Sequence, residues 1–243
     1  MTESGQERRL AILGRLLGPK AGFTTAKLCQ VCADVTGATG AGIMLMNGDV
    51  PRGSVCTTDT VSALMEQLQY DLGEGPCVDA YHHDRPVSEP NLAQPAAPRW
   101  LAFTGPVVEA GALAVFGFPL QVGAVRLGAL NLYNDQPGNL TDDQYTNALV
   151  MADVAAQAVL LLQANAAPDT LATELESNAN FQYVVHQASG MVAAQLDVAV
   201  GQALIRLRAH AFGNNRALTD VARDVVDRRL RFDPDSYEDD PTP

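Results

Sequence analysis

The sequence predicts an α+β protein: an N-terminal antiparallel sheet flanked by helices, a helical connector, and a C-terminal all-α bundle of three helices. Three observations lead there. Strand-like runs fall between residues 42 and 133, among dense Gly, Pro and Asn-Gly punctuation. Helical periodicity takes over after Thr141 and continues almost to the end. Between the two parts, Ala164 to Asp169 (ANAAPD) reads as a linker, because Pro168 disfavours α geometry in the residue before it. With 243 residues, 47% hydrophobic and 18% charged, the chain can bury a substantial core and is not disordered as a whole.

The elements follow in order. Residues 8–17 place apolar side chains at 10, 12, 13, 16 and 17, a short amphipathic helix stopped by Gly18-Pro19. Thr24 or Thr25 caps a second helix through about Val35, ended by Gly37 and Gly40. Gly42 to Asn47 suits a buried strand, Asn47-Gly48-Asp49 a turn, and Ser54 to Thr57 a returning strand. Asp59 or Thr60 caps a helix with apolar positions 61, 64, 65 and 68. LGEGPCVDA (72–80) is Gly/Pro-rich, and four prolines make 86–99 mostly loop. Trp100 to Glu109 suits a helix; 112–121 and 125–133 suit a hairpin. Thr141 and Gln144 form a capping box for a long helix to about Gln163. Three further helices are expected: about 171–196, 198–212 capped by Asp197, and 219–231 capped by Thr219.

Several function classes lose support at once. The longest apolar run, Val154 to Leu162, is broken by Gln157 and too short to span a bilayer, which needs about 20 apolar residues. The N-terminus lacks the form of a signal peptide, so the chain is expected to be cytoplasmic. Four cysteines are too few for a disulfide scaffold and are expected as free thiols. Cys29 and Cys32 form a single CxxC on a predicted helix, read as two small thiols facing the core. No metal site is expected, because neither a second CxxC nor spaced histidines complete four ligands. Phosphate-loop and GxSxG motifs are absent. Cys77 is flanked by Glu74 and Asp79, which disfavour a thiolate, so no catalytic residue is assigned and no enzyme is expected.

The net charge of −12 conceals an asymmetry. Residues 181–232 carry seven Arg against four Asp, whereas the connector before them and the tail after them are acidic. A basic segment points to nucleic acid or another acidic partner. Gly190 stands in mid-helix, where it costs about 1 kcal/mol relative to Ala, as close approach of another backbone would explain. Arg206, Arg208, Arg223, Arg228 and Arg229, with Arg216 in a loop, form a phosphate-contact surface if they share a face. An ordinary bundle with solvated Arg fits the same residues.

Residues 181–232 closely resemble the ANTAR family of RNA-binding antitermination domains. The resemblance rests on Gln187-Ala188-Ser189-Gly190-Met191, on Ala203-Leu204 with Leu207-Arg208-Ala209-His210-Ala211, and on Leu218 with Val221-Ala222. Many members carry Lys where this chain has Ser189. Residues 24–163 resemble a GAF domain through Gly73-Glu74-Gly75-Pro76-Cys77 with Asp79-Ala80, Arg99-Trp100, Phe118-Pro119-Leu120 and Gly128 to Tyr133. Together these resemblances imply a bacterial transcription antitermination regulator: a cytoplasmic homodimer, not membrane-bound, that grips paired hairpin loops of nascent mRNA. The RNA-binding residues implied are Gln187, Ser189, Gly190, Arg206, Arg208, Arg216, Arg223, Arg228 and Arg229. No cofactor is implied beyond an unidentified small-molecule ligand in the GAF domain. The expected organisation is an N-terminal helix (1–23), the GAF-like domain (24–163), linker and connector helix (164–180), the ANTAR-like domain (181–232) and a disordered acidic tail (233–243) that screens the basic bundle. Alternatives are a cysteine-dependent redox enzyme or sensor and a protein-interaction module with weak RNA binding.

Overall fold

The computed structural model describes residues 5–17, 24–47, 50–165 and 170–233. The expected tail after Asp233 and most of the expected linker Ala164 to Asp169 lie outside them. The chain divides into two compact units, Met1–Ala172 and Thr173–Pro243.

In the first unit the helices are α1 (Gly5–Leu17), α2 (Thr25–Thr36), α3 (Thr60–Leu72), α4 (Pro76–His83), α5 (Leu101–Glu109) and α6 (Asp142–Asn165). The strands are β1 (Gly40–Asn47), β2 (Val50–Thr57), β3 (Val87–Glu89), β4 (Ala114–Val122) and β5 (Val125–Asn134). They form one antiparallel sheet in the order β2-β1-β5-β4-β3. Because side chains alternate along a strand, each face is built from every second residue. Ile43, Leu130, Leu132, Phe116 and Phe118 point into a core shared with α1, α2 and α6. The opposite face, carrying Gly42, Asn131 and Gly117, lies under α3 and α4.

The caps explain the helix starts. Thr24 accepts from Lys27 N–H at α2, and Asp59 with Ser62 completes a capping box at α3. Thr141 and Gln144 exchange bonds at the start of α6. Arg8 and Arg9 of α1 reach Asp143 and Asp153 of α6, fastening the N-terminal helix along it. α6 is long and apolar enough to cross a membrane by length and composition, but Met151, Ala155 and Val159 are used in the core.

Two elements escaped the sequence reading. α4 begins within the segment 72–80, since Pro76 at N1 needs no N–H partner and presets φ. A three-residue strand, β3, lies within the proline-rich stretch and pairs with the edge of β4. The expectation of four free thiols is corrected: Cys29 of α2 is bonded to Cys56 of β2, with Cα atoms 5.9 Å apart. α2 packs on β2, so residues 27 apart in sequence meet. Cys32 and Cys77 remain thiols, both buried.

The second unit contains α7 (Thr170–Leu196, beginning just before the division), α8 (Val200–Gly213) and α9 (Leu218–Val226). Asp197 does not cap α8. It takes a left-handed φ of 50°, and Val198 N–H returns to Ala193 O, so Asp197 terminates α7. Ala199 occupies the N-cap of α8. Thr219 is likewise no cap; Ala217 is, and Thr219 is buried inside α9. α9 stops at Val226 rather than near 231 because Arg228 is left-handed, with φ 59°, while Arg229 and Leu230 N–H both return to Asp224 O. The chain then packs back, Phe232 N–H donating to Gln195 Oε1 at 2.9 Å.

Candidate functional site

A polar cluster is sealed between the sheet and α3/α4. Glu66 and Gln69 lie three residues apart on α3 and face the same way. Asn131 Nδ2 donates to Glu66 Oε1 at 2.5 Å, and Cys77 N–H donates to Gln69 Oε1 at 2.7 Å. Cys77 Sγ lies 3.5 Å from Ala129 O. Glu66 is 3% exposed, Asn131 2%, and Gln69 and Cys77 not at all.

Glycines make room for the cluster. In the sheet register Asn131 is flanked by Gly42 on β1 and Gly117 on β4. A Cβ at Gly42 would lie 2.6 Å from Glu66 Oε1, and one at Gly117 would lie 2.2 Å from Pro76 O. Gly75 has φ +132°, and a Cβ there would meet Gln69 Cγ at 2.5 Å. The Gly73-Glu74-Gly75-Pro76 run thus turns the chain tightly beside Gln69 and starts α4 against the sheet.

The rest of that motif holds α5. Glu74 Oε1 accepts from Ala102 and Phe103 N–H at 2.7 and 2.9 Å, capping α5 from outside the helix. Trp100, at the N-cap position with φ 50°, supplies no side-chain cap of its own. Asp79 Oδ2 accepts from Arg99 Nη2 at 2.7 Å and Trp100 Nε1 at 3.0 Å, and the Arg99 guanidinium lies over the Trp100 ring.

Burial pushes Glu66 up to about 8, the Asn131 amide opposing it only in part. Glu66 is therefore mostly a neutral acid at pH 7. Burial, and then the adjacent Glu66 carboxyl, push the Cys77 thiol well above its ordinary range, against weaker bonds from Met44 and Asn131. A thiol in that state is a poor nucleophile. Sequence reading missed Glu66, Gln69 and Asn131 as a group. The available signal was two polar residues at helical spacing on the inner face of an amphipathic helix.

In the second unit the sequence-predicted RNA-contact residues separate. Gln187 and Gly190 are exposed on α7, and nothing lies within 4 Å of a Cβ placed on Gly190. Ser189, expected to line a base-facing spot, is instead 1% exposed and donates to Val185 O at 2.8 Å. It falls on the buried side of α7, in line with Val185, Ala188 and Val192. Arg206 and Arg208 are half-buried on α8. Arg216, Arg223, Arg228 and Arg229 are exposed. Arg228 and Arg229 lie past the end of α9 rather than on it. Arg216 and Arg229 both pair with Asp224, at 2.6 and 2.8 Å, Arg229 also with Asp227, and Arg223 with Asp220. The bonds from Arg216 and Arg229 hold the Asp224 carboxyl below its ordinary value.

The site thus lies in an α+β domain, an antiparallel sheet with helical layers on both faces, one of them sealing a polar cluster. The GAF_2 profile, described as a GAF domain, matches residues 24–159, more than half of the chain. The chain belongs to the GAF domain family. Similar solved structures include the GAF domain of an Acinetobacter phosphoenolpyruvate-protein phosphotransferase, at 12% identity, TM-score 0.47, covering 68% of this chain and 98% of that one. Another is the type II free methionine-R-sulfoxide reductase of Thermoplasma acidophilum, at 14% identity, TM-score 0.44, covering 55% and 88%. A third is the chromophore-binding domain of a Stigmatella aurantiaca bacteriophytochrome, at 12% identity, TM-score 0.43, covering 67% and 60%. No curated protein matches the chain.

Proposed function

We propose that this chain is a cytoplasmic regulator in which the GAF domain controls RNA binding by the C-terminal helices, acting as a homodimer on paired hairpin loops of nascent mRNA. The observation that carries the reading is the division of the C-terminal unit into an apolar interior and an arginine-bearing exterior. Val221, Ala222 and Val225 are buried, while Arg216, Arg223, Arg228 and Arg229 surround them on the outside. Such a surface supplies phosphate contacts, and hairpin loops offer unstacked bases that a protein can read. Exposed Leu10 and Leu17 on α1 and Leu149 and Leu161 on α6 support a helical dimer contact.

The test is binding of a two-hairpin RNA by the full-length protein at two salt concentrations. The reading requires salt-sensitive, loop-dependent binding that is lost when Arg223→Glu and Arg228→Glu are combined. Unchanged affinity of that variant at low salt removes the surface assignment. The rival reading, cysteine-based redox chemistry, draws little support from Cys77, whose thiol is buried and disfavoured as a thiolate. Slow alkylation of Cys32 and Cys77 in the folded protein separates the two.

A further inference from the structure

The cluster under α4 holds three buried polar atoms with no hydrogen-bond partner: Glu66 Oε2, Gln69 Nε2 and Asn131 Oδ1. If Glu66 is ionised, two of the three are bare acceptors and the site contains a full negative charge. A proton on Oε2 removes that charge and turns one bare acceptor into a donor.

Among the described residues, the surrounding elements supply no cation to neutralise it in another way: β4 has no titratable side chain, and β3 adds only the buried carboxyl of Glu89. On α3, Tyr70 is buried one turn from Glu66, and Asp71 Oδ2 accepts from Gln67. On α4, Cys77 touches the cluster, Asp79 is engaged by Arg99, and His82 and His83 are exposed. β1 carries no titratable side chain from Gly40 to Met46. On β2, Arg52 is exposed and Cys56 is in the disulfide. On β5, Arg126 is exposed and lies over the Tyr81 ring, and Tyr133 donates to Asp59. α5 carries only the carboxylate of Glu109, at its far end.

We infer that this cluster is a proton-binding site, and that release of the proton from Glu66 loosens α4 from the sheet. α4 is the element that responds because it is held there by close contact and by single bonds such as Arg126 Nη1 to Tyr81 O and Cys77 Sγ to Ala129 O, with no ladder of backbone bonds. Pro76 O sits over Gly117, and Cys77 N–H is satisfied by Gln69, a neighbour of Glu66 within the cluster. Lifting α4 hydrates Glu66, which then ionises as an ordinary carboxyl. Opening therefore releases one proton. Its equilibrium rises about tenfold per pH unit between the ordinary value of 4.5 and the closed-state value of about 8, and levels off above that. The inference concerns the GAF unit alone and holds or fails independently of RNA binding.

The experiment is amide hydrogen exchange of residues 76–83 in the full-length protein from pH 5 to 9, corrected for intrinsic exchange, in wild type and Glu66→Gln. Wild-type α4 should lose protection about tenfold per pH unit up to about pH 8, while Glu66→Gln stays flat and the amides of β5 remain protected. Identical profiles in the two proteins overturn the inference, as does loss of β5 protection in parallel with α4. A carbon-detected titration of the Glu66 carboxyl in wild type decides the matter if the variant does not fold. A midpoint in the ordinary carboxylate range overturns it, and one near 8 supports it.

Discussion

Tyr133 Oη donates to Asp59 Oδ2 at 3.0 Å, tying the central strand β5 to the residue that caps α3. Asp59 also accepts from Ser62 N–H at 2.7 Å and from the Thr58 hydroxyl at 2.9 Å. Asp59→Ala therefore removes a cap and a cross-element tie together, and should cost about 1–2 kcal/mol in urea unfolding. Tyr133→Phe should cost about 1 kcal/mol, from the loss of one hydrogen bond.

The same carboxyl gives stability an acid limb. Burial alone would raise Asp59, but bonds from the Ser62 N–H and the Thr58, Tyr133 and Ser62 hydroxyls outweigh it and hold the group below its ordinary 3.8. A lowered carboxyl contributes stability above its unfolded value and loses it as the pH falls through the folded one. Unfolding midpoints should fall below about pH 4 in wild type, and less steeply in Asp59→Asn.

Glu74 reaches across from the glycine-rich turn to cap α5. Glu74→Ala leaves Ala102 and Phe103 N–H without their acceptor and should destabilise by about 1–2 kcal/mol. Glu74→Gln keeps an acceptor oxygen and should lose less. Thermal melts of the two variants, compared with wild type, test this.

The Cys29–Cys56 bond closes a separation of 27 residues. In the chain-entropy account, such a loop contributes about 3–4 kcal/mol. Reductant should lower the melting temperature of wild type but not of a Cys29→Ser, Cys56→Ser variant. Alkylation after denaturation without reductant should label Cys32 and Cys77 alone.

Asp224 holds Arg216 and Arg229 in ion pairs that an RNA phosphate must compete with. On the proposed RNA-binding reading, Asp224→Asn should tighten RNA binding several-fold and steepen its salt dependence. Filter binding at two salt concentrations measures both effects.

Most elements were readable in the sequence because their signals are local. Thr24, Asp59 and Thr141 announce helix starts through bonds made within three or four residues, and the 114–134 hairpin is announced by the Val122-Gly123-Ala124 break between two strand-like runs, although Val122 itself pairs with Val125 and only Gly123 and Ala124 form the turn. Asp197 and Thr219 misled for the same reason. Both are good capping residue types, but left-handed geometry at Asp197 and burial of Thr219 against the bundle took precedence. The candidate site was scarcely readable. Glu66 and Asn131 are 65 positions apart, and neither is unusual in its own neighbourhood.

Local spacing, alternation and composition were enough to establish the α+β class, the order of helices and strands apart from α4 and β3, and the concentration of arginine after residue 181. Tertiary structure alone decided which groups lose their water. It brought Glu66 against Asn131 between two glycines, joined Cys29 to Cys56, turned Ser189 inward and paired Arg216 and Arg229 with Asp224. Desolvation and pairing depend on what packs opposite a residue, and the neighbours along the chain do not carry that information.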